Sequence, residues 1–509
     1  MNGRWKYDTM FIDGAWTASN AAGVIEVIDP ATENVIGSVP DADVKAAAAA
    51  IEAARRAFDE GPWPRISPRE RGVVLRRFAA ILDERHDALK ELVMAESGAV
   101  GFLADIIAVR GTINIAQWVA DSVEHAVQWT EVSPPVGGPV GMAGHAVVRE
   151  PAGVVAAITP FNFPFFLNIV KVIPALAAGC TVVLKPHQWT PLDAYEIAKA
   201  AQDAELPPGV LNVITGGAEL GEAMTTHPMV DMVTFTGSTQ TGRRIMAAAA
   251  PTVKRLQLEL GGKSASIVLD DVPEEHVASM GIVTNMIHAG QGCAIHTRLL
   301  LPEHLLEAYV EGAKNSLSYL KIGDPRESDT VIGPLIREQQ RKRVEGYVQA
   351  GLDEGAELAF GGRRPDHLTK GFFYEPTLFI NARNDMRIAQ EEIFGPVLTV
   401  ITYRTEADAI RLANDSVYGL GGGVVTGNTA RGFNVARQIR AGNVAVQTVG
   451  PQVTNFEGLG GTGPGWSAEQ GGGIGITGVF GGFKQSGVGR EWGHHGIEEF
   501  TELKTIEWS

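Results

Sequence analysis

Gly153-Val154-Val155-Ala156-Ala157-Ile158-Thr159-Pro160-Phe161-Asn162-Phe163-Pro164 opens the stretch that decides the fold. Val154 to Ile158 is a short apolar run and reads as a strand, Phe165 to Ala178 follows as a helix, and Thr181 to Leu184 is a second strand. Cys180, in Gly179-Cys180-Thr181, leads straight into that second strand and reads as core. The whole apolar region from Gly153 to Leu184 is interrupted by Pro160, Asn162, Pro164, Asn168, Lys171 and Pro174. Those polar groups would be costly in a bilayer, so no membrane span is expected.

Working outward, the pattern repeats. Thr190-Pro191-Leu192-Asp193 starts another helix, Val210 to Ile214 and Met232 to Phe235 are strands, a helix follows from about Thr239, and Leu256 to Leu260 is a strand. Short β-branched strands separated by helices imply a parallel sheet covered on both faces, a nucleotide-binding architecture by analogy. A second series has strands near Ser266 to Leu269, Arg298 to Leu301, Val397 to Thr402 and Val444 to Val446, with helices from Glu274, His304, Arg337, Glu406 and Ala430. Two such domains leave a cleft between them. On the N-terminal side, Ser67-Pro68-Arg69-Glu70 is a capping box that opens an amphipathic helix, and polar, glycine-rich residues from about Ser133 to Gly144 then interrupt the pattern.

Composition narrows the class. The chain has 509 residues, 45% hydrophobic content and a formal charge of −16, which predicts a globular protein of two large domains and disfavours nucleic acid or an anionic membrane as partner. Two cysteines exclude a disulfide framework or a four-cysteine zinc site. No secretory signal is visible after Met1, and a reducing cytoplasm fits. There is no His-Glu-x-x-His helix, and the pair His494-His495 reads as polar surface, so no metal is expected.

One cysteine stands apart. Cys293 lies in Ala289-Gly290-Gln291-Gly292-Cys293-Ala294, and Glu259 lies in Leu258-Glu259-Leu260-Gly261-Gly262-Lys263. A thiol with a separate carboxylate suits two-step covalent catalysis: attack on a carbonyl, then activation of the water that frees the acyl product. Phe235-Thr236-Gly237-Ser238-Thr239-Gln240-Thr241-Gly242 joins a strand to a helix and could hold a pyrophosphate. Arg243 and Arg244 replace the Lys-Ser/Thr pair of a triphosphate loop, which disfavours an ATPase. Spacing alone leaves a dinucleotide loop and a structural turn both open.

Seven motifs, in order and from about Phe11 to the C-terminus, resemble the aldehyde dehydrogenase superfamily. They are Thr159-Pro160-Phe161-Asn162-Phe163-Pro164, Leu184-Lys185-Pro186, Phe235-Thr236-Gly237-Ser238, Leu258 to Lys263, Gly290-Gln291-Gly292-Cys293, Glu391-Glu392-Ile393-Phe394-Gly395-Pro396 and Phe480-Gly481-Gly482-Phe483-Lys484-Gln485-Ser486-Gly487. The resemblance implies an α/β fold of two doubly wound parallel-sheet domains, one a Rossmann-like cofactor domain and one catalytic, with a small β oligomerisation arm. It places the cofactor domain at 1–125 and 150–258, the catalytic domain at 259–485, and oligomerisation or bridging segments at 126–149 and 486–509.

It also implies roles. Cys293 is the expected nucleophile, Glu259 the water activator, and Asn162 with the Cys293 backbone N–H the oxyanion donors. Expected cofactor contacts come from Ile158, Thr159, Pro160, Lys185, Gln188, Gly217, Gly237, Ser238, Leu260, Glu392 and Phe394. The expected substrate is a small-molecule aldehyde, the cofactor NAD with NADP possible, and the assembly a homodimer or homotetramer formed through residues of about Ala126 to Arg149 and the tail Thr501 to Trp508.

Departures from the family pattern bear on specificity. Gln188 stands where NAD-preferring relatives commonly have a glutamate, which removes repulsion against a 2′-phosphate while keeping hydrogen bonds to a hydroxyl. Gln447 replaces a usual asparagine, Val479 a usual proline, and Gly458 to Gly465 with Gly471 to Gly475 lengthen the connection that borders the aldehyde entrance. Two other chemistries stay open: acyl transfer to coenzyme A, disfavoured by Glu259, and a cysteine hydrolase or esterase using His296 or His288. A non-enzymatic relative would have lost Cys293, Glu259 or Asn162.

Overall fold

The computed structural model describes residues 3–18, 23–138, 141–277, 280–449 and 478–508. Its first large sheet has eight strands in the spatial order Gly487–Val488, Arg255–Glu259, Met232–Thr236, Val154–Ile158, Thr181–Lys185, Leu211–Val213, Thr9–Ile12 and Ala15–Ala18. The five strands from Arg255–Glu259 to Leu211–Val213 run parallel, with Val154 opposite Thr181 and Ile158 opposite Lys185. All residues of Val154–Ile158, Thr181–Lys185 and Met232–Thr236 are buried, which is why these strands are rich in apolar side chains and do not alternate with exposed ones. The edges depart from the all-parallel expectation. Gly487–Val488 and Thr9–Ile12 pair antiparallel, because a returning C-terminal segment and an N-terminal hairpin reach the edges without a crossover helix.

The helix after the first central strand is Pro164–Ala178, with proline in its first turn and Gly179 ending it in a left-handed conformation. Cys180 is fully buried, as expected, with its thiol against the Phe500 carbonyl at 3.3 Å. The Ser67 capping box forms as read: Ser67 N–H donates to Glu70 at 2.7 Å and Glu70 N–H donates to the Ser67 hydroxyl at 3.3 Å. It starts the Pro68–Glu84 helix.

The second large sheet has seven strands in the order Glu357–Phe360, Thr377–Ile380, Val397–Tyr403, Arg298–Pro302, Ala265–Val268, Gly421–Thr426 and Asn443–Thr448. Four were legible in the sequence. Gly421–Thr426 was not, since three glycines open it and glycine weakens a strand. The glycines have a use here: a Cβ on Gly423 would lie 2.8 Å from the His296 ring.

A three-stranded antiparallel sheet combines Thr501–Trp508, Gly141–Pro151 and Thr130–Gly138, in that order. The stretch Ser133 to Gly144, read from sequence as an interruption, therefore belongs mostly to paired strands, and backbone hydrogen bonding overrides its poor strand propensity. Thr501–Trp508 pairs along its length with Gly144 to Pro151 and presents its other edge outward. The glycine-rich segments Gly458 to Gly465 and Gly471 to Gly475 lie outside the described residues. Among the described residues no helix is long and apolar enough to cross a membrane.

Candidate active site

The Val154–Ile158 strand ends at Thr159, whose N–H donates to the Lys185 carbonyl at 3.2 Å at the end of the neighbouring strand. The turn that follows carries Asn162, only 4% exposed, into contact with the second half of the chain. Its side-chain amide donates to the Gln291 carbonyl at 2.9 Å, two residues before Cys293. A donor fixed beside a thiol is what an oxyanion requires.

The loop that holds Cys293 is not regular helix. His288, Ala289 and Gly290 have φ values of 51°, 52° and 74°, a run of left-handed conformations that only glycine adopts without cost. Gln291 compensates. Its amide donates to the His288 carbonyl at 3.1 Å and its oxygen accepts from Ile336 N–H at 2.9 Å, both buried. The sequence reading passed over Gln291; its place inside a glycine-flanked loop was the available signal. Cys293 itself is partly exposed. Burial, then the carboxylates of Glu259, Glu392 and Glu491, push its thiol up to about 12.

Glu259 is the last residue of the Arg255–Glu259 strand and so belongs to the first sheet rather than to the second unit. It is 2% exposed, and neither carboxylate oxygen has a hydrogen-bond partner among the described residues. Burial and repulsion from Glu491 raise its pKa well above the usual carboxylate range. Glu491 is tied to Lys171 at 2.7 Å, and Lys171 also donates to Thr234 at 3.1 Å. Gly481 of the Phe480 motif lies against Glu259, where a Cβ would stand 2.9 Å from Oε1. Motifs more than 200 residues apart thus meet around one thiol and one carboxyl.

The expected cofactor residues gather on the C-terminal ends of the first sheet. Ile158, Thr159 and Pro160 follow one another in the first turn, and the Nζ of Lys185, a residue 6% exposed, donates to the Pro186 carbonyl at 3.3 Å as its one hydrogen bond among the described residues. Burial depresses Lys185 to about 8. Gln188 and Gly217 adjoin, since a Cβ on Gly217 would lie 3.5 Å from Gln188 Oε1, and Gly217 stands before the Ala218–Thr226 helix. Ser238 caps the Thr239–Ala249 helix by accepting from Thr241 N–H at 3.2 Å. Gly237 N–H donates to the Glu259 carbonyl at 3.0 Å, and Leu260 N–H to the Ser486 carbonyl at 2.9 Å. Glu392 accepts from Gly262 N–H at 3.1 Å, and Phe394 meets Phe161 edge-on at 5.7 Å. Two helix N-termini, a poorly satisfied buried amine and a glycine cradle fit a dinucleotide.

Other residues hold these groups in place and were not foreseen. Gln340 donates to the Ile393 and Phe394 carbonyls at 3.2 and 2.7 Å, and Arg343 to the Glu392 carbonyl at 2.6 Å. Ser486 Oγ donates to the Gly261 carbonyl at 2.7 Å and accepts from Gly419 N–H at 2.9 Å.

The two histidines near the nucleophile support the loop rather than activate it. His288 is buried 5.0 Å from the Phe163 ring, His296 packs against Gly423, and burial depresses both to about 4. No described hydrogen bond joins either to Cys293. The ligand atoms of His494, His495 and Glu498 come within 4.8 Å of one another at the surface, but Arg149 also approaches Glu498 at 3.3 Å.

Two large α/β sheets thus bring a glycine-rich cradle, a thiol, a fixed amide donor and a buried carboxyl together, an arrangement that suits a dinucleotide-dependent oxidoreductase. The sequence matches the aldehyde dehydrogenase family over residues 16–479 and 473–506. It is 39% identical over 503 residues to a 3-succinoylsemialdehyde-pyridine dehydrogenase of a Pseudomonas species, covering 98% of both chains. With the betaine aldehyde dehydrogenase of Bacillus subtilis it shares 36% identity, over 98% of this chain and 96% of that one. Among solved structures, a Mycobacterium tuberculosis aldehyde dehydrogenase complexed with NAD+ superposes with a TM-score of 0.90 at 42% identity, over 99% and 98% of the two chains. A Pseudomonas syringae aldehyde dehydrogenase in complex with NAD+ and octanal gives 0.88 at 38% identity, over 98% and 96%. The chain belongs to the aldehyde dehydrogenase family and is an NAD(P)-dependent aldehyde dehydrogenase.

Proposed function

We propose that this enzyme oxidises an aldehyde to the free carboxylic acid with NAD, using Cys293 as nucleophile, Asn162 as oxyanion donor and Glu259 as water activator. The observation that carries the reading is the meeting of Asn162, the Cys293 loop and a buried, unpartnered Glu259 at the junction of the two sheets. The Cys293 thiol passes its proton to solvent as the sulfur adds to the carbonyl carbon, and the resulting oxyanion is met by the Asn162 amide and the Cys293 N–H. NAD+, held by the residues named below, would supply the hydride acceptor through which the adduct becomes a thioester. Glu259 then takes a proton from water as the water oxygen attacks the thioester; the acid leaves and the thiol is restored. Burial, and then the nearby Glu491 carboxylate, make Glu259 a stronger base, an effect that Lys171, paired with Glu491, partly offsets.

Lys185, Gln188 and Gly217 hold the adenosine ribose, Gly237 and Ser238 the pyrophosphate, and Ile158, Thr159, Pro160, Leu260, Glu392 and Phe394 the rest of the dinucleotide. Segments 1–125 and 150–259 form the cofactor unit, with Glu259 ending its last parallel strand, and 260–485 the catalytic unit. Segments 126–149 and 486–509 bridge subunits of a homodimer or homotetramer in the cytoplasm, where two unpaired thiols stay reduced. The 39% identical semialdehyde dehydrogenase supports a semialdehyde or another small aldehyde as substrate.

The test is reduced-cofactor formation by the purified enzyme against aliphatic, aromatic and semialdehyde substrates, with NAD or NADP and without coenzyme A. Turnover with NAD is expected, and a preference for NADP would reassign Gln188. Cys293→Ala is expected to lose turnover at least about 10⁴-fold while NAD binding by fluorescence stays within about twofold. Residual turnover near that of the parent enzyme would sink the covalent mechanism.

A further inference from the structure

A buried polar chain runs from the oxyanion turn into the helical layer and ends in two carboxyls. Thr159 Oγ1 donates to Asn168 Oδ1 at 2.6 Å. The Asn168 amide therefore faces the other way and donates to Asp193 Oδ2 at 2.9 Å. Asp193 opens the Leu192–Asp203 helix, whose preceding residue, Pro191, makes no side-chain cap. Glu96, from the end of the His86–Ser97 helix, supplies the cap instead: its oxygens accept from Leu192 N–H at 2.9 Å and Asp193 N–H at 3.2 Å. Thr159 is 3% exposed, and Asn168, Asp193 and Glu96 are 0% exposed.

The chain has a chemical imbalance. Asp193 Oδ1 has no N–H or hydroxyl partner among the described residues. No described salt bridge reaches Asp193 or Glu96. On the Leu192–Asp203 helix, Lys199 and Glu196 pair with each other; on Pro164–Ala178, Lys171 is held by Glu491. On His86–Ser97, His86 contacts Asp87 and Asp105, Lys90 pairs with Asp105, and Glu91 with Arg4. The phenols of Tyr7 and Tyr195 stack 4.0 Å apart beside the pair and are kept neutral by burial. Two ionised carboxylates cannot share such a site, because desolvation and mutual repulsion disfavour the second charge. Both groups are accordingly raised above the usual carboxylate range by burial, and Glu96 also by Asp193.

We propose that Glu96 and Asp193 share one proton, and that this acid pair, through Asn168, positions Thr159 and with it the turn that presents the Asn162 amide to the reacting carbonyl. Asp193 and Glu96 are positioning residues, and their assignment rests on Asn162 being the oxyanion donor. With one proton in place every acceptor in the chain has a donor. Loss of that proton puts two negative charges side by side, and the pair relaxes by separating. The turn moves with it, and a displacement near 1 Å at reacting groups costs about 10²-fold in rate.

The experiment is the pre-steady-state rate of reduced-cofactor formation against pH, together with NAD affinity, for the parent enzyme, Asp193→Asn and Asp193→Leu. The asparagine supplies the missing donor as an N–H toward Glu96 and still accepts from Asn168. The parent rate is expected to fall at the alkaline end. Asp193→Asn is expected to keep most of the neutral-pH rate and to lose that fall. Asp193→Leu is expected to lose about 10- to 100-fold in rate with NAD affinity changed less than about twofold. A parent profile with no alkaline fall, an Asp193→Asn profile that retains it, or an Asp193→Leu variant at the parent rate would each overturn the proposal. If Asp193→Leu does not fold, the asparagine profile decides by itself. Absence of cofactor reduction in the parent enzyme as well would instead mean that the underlying functional reading had failed.

Discussion

Glu259 combines two properties that an ordinary surface glutamate lacks: its oxygens have no hydrogen-bond partner among the described residues, and burial with Glu491 nearby raises its proton affinity. Such a carboxyl is a strong base only once ionised. The deacylation rate of the parent enzyme is therefore expected to rise with pH through the raised pKa of Glu259, above the ordinary carboxylate range. In Glu259→Gln, deacylation is expected to slow by about 10²- to 10⁴-fold and to lose that dependence, leaving a burst of one reduced cofactor per active site followed by slow turnover. Stopped-flow absorbance separates the two phases; an unchanged steady rate would assign water activation to another group. The same raised pKa carries a stability consequence of defined sign. The folded state binds this proton more tightly than the unfolded chain, so its stabilising contribution is complete at low pH and is lost as pH rises through the folded pKa.

At the level of elements, the Leu258 to Lys263 motif works because a strand end, a turn and two distant loops converge without side chains in the way. A Cβ on Gly261 would lie 2.5 Å from Glu392 Oε2, inside any allowed contact. Gly261→Ala is thus expected to displace Glu392 from Gly262 N–H, to raise the KM for NAD by about tenfold and to destabilise the enzyme by about 1–3 kcal/mol. Cofactor-dependence kinetics and thermal unfolding measure the two effects, and an alanine variant with parent KM would remove Glu392 from the cofactor site. Motifs of this kind were legible one by one, since each depends on residue types at fixed local spacing. Gln340 and Arg343 were not, because each bonds to backbone carbonyls supplied by another element and nothing local distinguishes them from surface side chains; Gln291 and Ser486 stand inside legible motifs, but their partners come from other elements. The Gly421–Thr426 strand escaped notice for a related reason: its glycines accommodate His296, a neighbour that only folding supplies.

On the scale of the whole molecule, Thr501–Trp508 forms one edge of the three-stranded arm with no further strand beside it among the described residues, and its Leu503, Ile506 and Trp508 are exposed at 62%, 48% and 46%. A strand edge of this length, with exposed apolar side chains between polar ones, is open to pairing with another strand. Under the proposed assembly, Leu503→Lys combined with Ile506→Lys is expected to lower the mass of the parent enzyme to that of a monomer while leaving the large sheets intact, as read by light scattering and circular dichroism. An unchanged mass would place the interface elsewhere. The linear order of residues by itself determined the alternation of strands and helices, the family, and the identities of Cys293, Glu259 and Asn162 as candidates, because hydrophobic periodicity and motif spacing are local properties of the chain. Tertiary structure alone decided that the edges of the first sheet run antiparallel, that Glu491 and Lys171 stand beside Glu259, and that Glu96 meets Asp193 below the oxyanion turn. Those outcomes depend on burial and on contacts between residues about 100 to more than 300 positions apart, and no local pattern encodes which distant group will share a desolvated space.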